Sequence, residues 1–141
     1  MRIRLYYIPL LLLVIAGLHF VALYGGVYDA QIEAEFIWWD NVLHFFVGIV
    51  FAIAWLWYLQ WRQYESFSRF TILSTLAFVL VMAISWELFE YFARLFYRGL
   101  VESLQLYSPN LVEALSDIAS NIVGATVLLI VKERLEKTSN S

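Results

Sequence analysis

Two groups of residues recur at helical spacing within apolar stretches; all but one glycine are polar, and most of the polar side chains are of types that bind metals. Within each group the residues stand four apart, so on a helix they lie on one face. The groups are Asp40, His44 and Gly48, and Glu113, Asp117 and Asn121. Imidazole together with carboxylates suits Zn, Mn or Fe, whereas ligation by oxygen alone suits Mg or Ca. These residue types at this spacing make one divalent metal, Zn, Mn or Fe rather than Mg or Ca, a candidate cofactor of this chain.

A third group of charged residues lies between these two in the chain. Glu87 and Glu90 stand three apart inside an apolar stretch, and Arg94 follows four residues later, so that Glu90 and Arg94 can pair. An ionisable group at the centre of a membrane helix costs ~2.5–3.5 kcal/mol. Two acids at such a place are difficult to explain as ordinary surface, which favours a functional role. The alternative is hydrogen bonding between helices.

The elements that position these residues are those of a membrane protein. Of the 141 residues, 62% are hydrophobic and 15% are charged, whereas soluble domains have about 45–50% and about 25%. We predict an all-α fold with four transmembrane helices and an interfacial amphipathic helix between the third and the fourth. The chain forms a single membrane domain over 1–141, with helices at about 5–25, 41–61, 70–92 and 111–131 and the interfacial segment at about 93–107.

The first apolar stretch follows Arg2 and Arg4, as the core of a signal peptide would. Its length is nearer to the ~20 residues that span a membrane than to the 7–15 residues of a signal core. We therefore expect it to be retained as a transmembrane helix.

The distribution of Lys and Arg sets the expected orientation. Two lie at the N-terminus, two in the connection 62–69 and three in the C-terminal tail, seven in all, against two on the other side, Arg94 and Arg98. The positive-inside rule then places both termini in the cytoplasm, and the protein in the cytoplasmic (inner or plasma) membrane. The acidic loop 27–39 faces outward.

This topology brings polar residues from three helices to one depth. At ~1.5 Å of rise per residue, His44, Glu87 and Asp117 lie roughly 6–9 Å below the outer helix ends. The predicted metal ligands are His44, Glu87, Glu90 and Asp117, and the other members of the polar cluster are Asp40, Glu113, Asn121, Arg94 and Arg98. A cluster so rich in acids needs a bound cation, protonated acids or the two arginines as counter-charges.

Simpler interpretations of single residues stay open. His44 can simply bond to Asp40, and Asp40 and Glu113 can be first-turn acids favoured by the helix dipole. His19, in the first span, is expected to lie outside the cluster.

The motifs Asp40-x-x-x-His44-Phe45, Trp86-Glu87-x-x-Glu90 and Asp117-x-x-x-Asn121-x-x-Gly124 resemble those of the VanZ-like superfamily of small membrane proteins. The form of the second motif is closest to the YjdF-type inner-membrane branch, and the resemblance covers roughly residues 38–130. VanZ is associated with teicoplanin resistance, and the YjdF-type branch has no established activity. VanZ-type members usually have Lys after the Asp and Gln in the third-span motif, where this chain has Asn41 and Glu90. The resemblance implies a setting at the cell envelope.

Three functions fit these features. The first is a site that binds a divalent metal, the headgroup of a membrane lipid or lipid-linked envelope precursor, or both. The second is a structural or partner-binding subunit, as a homo-oligomer or with another membrane protein, whose polar cluster specifies helix packing. The third is a proton or ion transporter, which is disfavoured because all the acids lie in one leaflet and four spans show no repeat. No sequence signature names an enzymatic reaction, and a net charge of -3 does not indicate nucleic acid.

The sequence yields one direct test of the metal site. Glu87→Gln should lower the bound metal far more than Glu102→Gln, because Glu102 is expected to be solvated on the interfacial segment. Elemental mass spectrometry of the detergent-purified protein measures the difference. Equal and negligible effects on metal content and stability would favour the structural subunit.

Overall fold

The computed structural model of the protein describes residues 6–28, 39–64, 68–106 and 110–139. Over these residues all of the regular structure is helical, in four helices each long and apolar enough to cross a membrane. The helices are α1 (Tyr7–Tyr24), α2 (Trp39–Trp61), α3 (Arg69–Ser103) and α4 (Leu111–Ser139). The prediction of an all-α fold with four transmembrane helices is confirmed. Arg2, Arg4 and most of the predicted loop 27–39 lie outside the described residues.

Helix α2 is the centre of the bundle. It packs against all three other helices, and its most extensive contact is with α4. The small core of Ala52, Val79 and Ala125, contributed by α2, α3 and α4, is completely buried. Most of the remaining apolar surface points outward, as in a bundle surrounded by lipid, where helices associate through close packing of small residues rather than by hiding apolar area from water.

Two glycines allow the backbones of α2 and α4 to touch. A Cβ atom added to Gly48 would lie 2.0 Å from the backbone oxygen of Asn121, and one added to Gly124 would lie 2.0 Å from the backbone oxygen of Phe45. Each glycine therefore meets the backbone of the other helix. The two helices run parallel through this crossing, because the side-chain contacts advance along both in the same direction, from Asn41 with Ser116 and Ser120 to His44 with Asn121.

Local hydrogen bonds define the start of α3 and join it to α2. The hydroxyl of Ser68 accepts a hydrogen bond from the backbone N–H of Thr71 at 3.3 Å in a capping box. One and a half turns into the helix, the indole N–H of Trp55 on α2 donates to the hydroxyl of Ser74 at 3.1 Å.

Helix α3 continues beyond the end of the predicted span at residue 92. The break falls at Tyr97, where φ is −133° and ψ is 39°, and not at residue 93. Residues 93–96 (Ala-Arg-Leu-Phe) contain no helix breaker, so the helix proceeds through them. The predicted interfacial segment 93–107 is thus joined to α3, and only the part after the kink turns away, ending at Ser103.

Helix α1 is attached at the end where α2 and α4 begin, which we call the polar end. One nitrogen of His19, Nδ1, lies 2.8 Å from the hydroxyl of Tyr28, and the other, Nε2, lies 3.0 Å from the backbone oxygen of Leu104. Because the backbone oxygen of Leu104 can only accept, Nε2 of the neutral ring carries the proton, and Nδ1 accepts from the hydroxyl of Tyr28. Burial, together with the nearby charges of Asp40 and Glu90, raises the pKa of this phenol, which keeps its proton. His19 therefore joins α1 to the end of α3, outside the predicted cluster.

The glycine crossing gives a direct stability prediction. Gly124→Ala should destabilise the protein by about 1–3 kcal/mol or more, because the new methyl group meets backbone and the helices must separate. Thermal unfolding in detergent, followed by circular dichroism, measures this. Gly17→Ala on α1 is the matched control, since nothing lies within 4 Å of a Cβ there and alanine is the better helix former. Equal unfolding temperatures for the two variants would contradict the crossing.

Candidate metal centre

The crossing of α2 and α4 places His44 against Asn121. The side-chain nitrogen of Asn121, Nδ2, lies 3.0 Å from Nδ1 of His44. His44 is 6% exposed and Asn121 is 1% exposed, so this contact is sealed inside the helix pair. The glycines that permit the approach follow within one turn of each residue, at positions 48 and 124.

Three ligand-type side chains converge beside this contact. Nε2 of His44 lies 3.8 Å from Oδ1 of Asp40 and 4.0 Å from Oδ2 of Asp117. One ligand atom from each residue falls within 4.8 Å of the others. Two ligand atoms that share one ion at about 2.1 Å stand ~3.0–4.2 Å apart, so only small movements are needed to close on an ion. We call Asp40, His44 and Asp117 the ligand triangle.

The triangle contains two of the four predicted ligands, His44 and Asp117. Its third member, Asp40, was predicted as a member of the surrounding cluster, and the structure places it one helical turn before His44 on the same face. Glu87 and Glu90 lie outside this group.

Glu90 occupies a buried position on α3, close to the triangle. It is 6% exposed, and its Oε1 accepts a hydrogen bond of 2.6 Å from the indole N–H of Trp86. Its Oε2 is buried and has no hydrogen-bond partner among the described residues. The carboxylates of Glu87, Asp40 and Asp117 lie close enough to repel it. The predicted convergence of acids from three helices is therefore present at the polar end.

The two arginines of the predicted cluster, Arg94 and Arg98, pair with Glu102 and not with the acids of the cluster. Nη2 of Arg94 lies 3.2 Å from Oε1 of Glu102, and Nε of Arg98 lies 3.0 Å from the same oxygen. The kink at Tyr97 brings Glu102 within reach of Arg94, eight residues earlier. Glu102, expected to be solvated, is thus held between two cations and is a poor control for substitutions at the metal centre.

Glu113, the remaining acid of the predicted cluster, lies in the first turn of α4. Its backbone N–H donates to the side chain of Asn110 at 3.1 Å, which caps the helix. Its charge acts on Asp40 at the rim of the triangle. Glu113 therefore lies where the simpler interpretation predicted it, as an acid in the first turn of a helix.

Sequence reasoning missed the hydrogen bonds that join α2 and α4 above the triangle. The side-chain oxygen of Asn41 accepts from the hydroxyl of Ser116 at 2.6 Å and from that of Ser120 at 2.9 Å. The sequence did contain a signal for these bonds. The two serines stand four residues apart, Ser116 directly before Asp117 and Ser120 directly before Asn121, so they lie next to the polar face of α4. These bonds hold the helices together without any ion.

The amide of Asn121 determines which nitrogen of His44 carries the proton. Nδ2 donates to the backbone oxygen of Asp117 at 2.9 Å, and because a carbonyl only accepts, the amide nitrogen must face it. The second hydrogen of Nδ2 points at Nδ1 of His44, which must accept. The proton of a neutral imidazole then lies on Nε2, between the two aspartates.

An ion at Nε2 needs the opposite arrangement. Histidine ligands usually donate their second ring N–H to an acceptor outside the coordination shell. Oδ1 of Asn121 is buried and has no hydrogen-bond partner among the described residues. Rotation of the amide would offer this acceptor to His44 Nδ1–H, and it would give up the bond from Nδ2 to the backbone oxygen of Asp117. The orientation of the Asn121 amide therefore decides which nitrogen of His44 carries the proton and whether Nε2 has a lone pair to offer an ion.

This arrangement predicts opposite effects for two substitutions. Asn121→Asp supplies a fixed acceptor for Nδ1–H and should raise the affinity for Zn²⁺ or Mn²⁺, whereas Asn121→Leu should lower it, each by about 10–100-fold. Competition with a chelating dye measures the affinity. Asn110→Asp, which adds the same charge at the start of α4 and keeps the cap, is the matched control. Unchanged affinity in both Asn121 variants would show that His44 does not ligate a metal through Nε2.

A family model matches nearly the whole chain. Over residues 1–138 the chain matches the model of a family described as a predicted membrane protein (DUF2238). No curated protein and no solved structure matches the chain.

Proposed function

Since the chain belongs to the DUF2238 family of predicted membrane proteins, we propose that it is a membrane-embedded metal-binding protein whose ion contacts a lipid headgroup. The single observation that carries this proposal is the ligand triangle of Asp40, His44 and Asp117. Its imidazole favours Zn, Mn or Fe over Mg or Ca. Three protein ligands also leave coordination positions for an oxygen of another molecule.

The position of the triangle supports a phosphate group as that other molecule. It lies in the first turns of α2 and α4, where a transmembrane helix meets the headgroups. An oxygen of a lipid or lipid-linked phosphate suits a divalent ion, and it would complete the coordination. We propose binding as the function, because the triangle supplies ligands and the sequence carries no pattern for a nucleophile.

The orientation and setting belong to the same proposal. The excess of Lys and Arg in the tails and in the connection 62–69 supports cytoplasmic termini in the inner or plasma membrane. The triangle then faces the outer surface, where lipid-linked precursors of the cell envelope are handled. The motifs around Asp40, Glu87 and Asp117 support a place for the family in the YjdF-type branch of the VanZ-like superfamily.

A structural or partner-binding subunit is the second candidate, and a specific observation favours it. Asn41 joins Ser116 and Ser120, and Asn121 joins His44, so α2 and α4 are connected without an ion. In that role the polar end would specify packing, within a homo-oligomer or against another membrane protein.

Metal content separates the two candidates. The purified protein, loaded with Zn²⁺ or Mn²⁺ and dialysed, should retain about one ion per chain by elemental mass spectrometry. His44→Ala and Asp117→Asn should each abolish retention, because each removes a ligand of the triangle.

Glu133→Gln is the control for these variants. It makes the same acid-to-amide change at the other end of α4, where Glu133 is partly exposed and pairs with Lys137 at 2.7 Å. A protein that retains no metal, while all three variants fold as the wild type does, would rule out the metal centre and leave the packing subunit.

A further inference from the structure

Glu90 holds one oxygen ready for a positively charged group. The residue is 6% exposed, yet its Oε2 has no hydrogen-bond partner among the described residues. Its other oxygen is fixed by the indole N–H of Trp86 at 2.6 Å, which sets the orientation of the carboxylate. Burying a carboxylate oxygen without a hydrogen bond costs free energy. This cost favours a ligand that donates a hydrogen bond to Oε2.

The surrounding charges favour a cation at this place. Asp40, Asp117 and Glu87 all act on Glu90 with the same negative sign. A divalent ion in the ligand triangle offsets the two aspartates and leaves Glu87 and Glu90. The guanidinium of Arg94, one turn further along α3, is directed at Glu102.

The geometry at Glu90 suits an ammonium group better than a second metal ion. A metal ion needs four or more ligands, and one oxygen of Glu90 is already engaged with Trp86. A primary ammonium group carries three N–H donors, can donate one strong hydrogen bond to a single carboxylate oxygen and is attracted to the face of an indole. Trp86 is 40% exposed, so this place also borders the exterior of the bundle.

We infer that the polar end recognises a phosphate ester with a neighbouring primary ammonium group, its phosphate on the ion of the triangle and its ammonium on Glu90. This inference rests on the metal centre proposed above. The phosphoethanolamine headgroup has this chemistry, whether it is carried by a lipid or free in solution.

The test compares ligands on the full-length, metal-loaded protein in detergent. Native mass spectrometry would titrate short-chain phosphatidylethanolamine, phosphatidylcholine, whose nitrogen has no N–H, and phosphatidylglycerol, which has no ammonium. The ethanolamine lipid should bind about tenfold or more tightly than the other two, the effect of one charge-assisted hydrogen bond. Equal binding of the three lipids would overturn the inference without any variant.

Substitutions at Glu90 test whether this residue causes the preference for the ethanolamine lipid. Glu90→Gln should remove the preference for the ethanolamine lipid and leave the metal in place, whereas Glu90→Asp should keep part of it. Glu133→Gln, far from the polar end, should keep all of it. A full preference in a folded Glu90→Gln variant would overturn the assignment.

Free phosphoethanolamine identifies the source of the ligand. Binding of the free compound as tightly as the lipid would assign a soluble ligand, and binding of the lipid alone would assign a membrane ligand; both support the recognition of the headgroup. Elemental analysis of the same samples separates two failures. Absence of metal overturns the proposed function, and bound metal with no lipid preference overturns only this inference.

Discussion

The backbone contact between α2 and α4 is the constraint on which the polar end depends. Gly48 and Gly124 each face the backbone of the opposite helix, at a distance that no side chain would fit. Because both contacts are to backbone, no change of a neighbouring side chain can make room. The contact sets a parallel register, and that register places Asp40 and His44 beside Asp117. The ligand triangle is thus a consequence of two missing side chains.

The energetics of the polar end favour charge compensation over packing alone. Hydrogen bonds between membrane helices contribute ~0.6–2 kcal/mol each, and three join α2 to α4 through Asn41 and Asn121. An ionisable residue costs up to ~2.5–3.5 kcal/mol at the centre of a span, and less towards its ends. Asp117 and Glu90 are both almost fully buried. The hydrogen bonds are too few to offset several charged acids, so the remaining compensation must come from a bound cation or from protonation of some of the acids.

The sequence predicted the features that depend on composition and helical periodicity. Four apolar stretches predicted the four helices, and the spacing of Asp40 with His44 predicted their common face. The partner of Arg94 was predicted as Glu90, but the kink at Tyr97 directs it to Glu102, and no Pro or Gly at that residue signals the kink. The role of Asn41 also depends on the register of α2 against α4. Register follows from three-dimensional backbone contact, which residue spacing within one helix does not contain.

The division of the triangle between α2 and α4 has a consequence for the biogenesis of the protein. During synthesis α2 and α3 emerge before α4, with Asp40, Glu87 and Glu90 already among them, while Asp117 is added only with the last helix. Until then the acids of the nascent chain have neither the second half of the triangle nor the backbone of α4 to shield them from lipid. Insertion of α4 therefore completes the fold and brings the ligand triangle together in the same step.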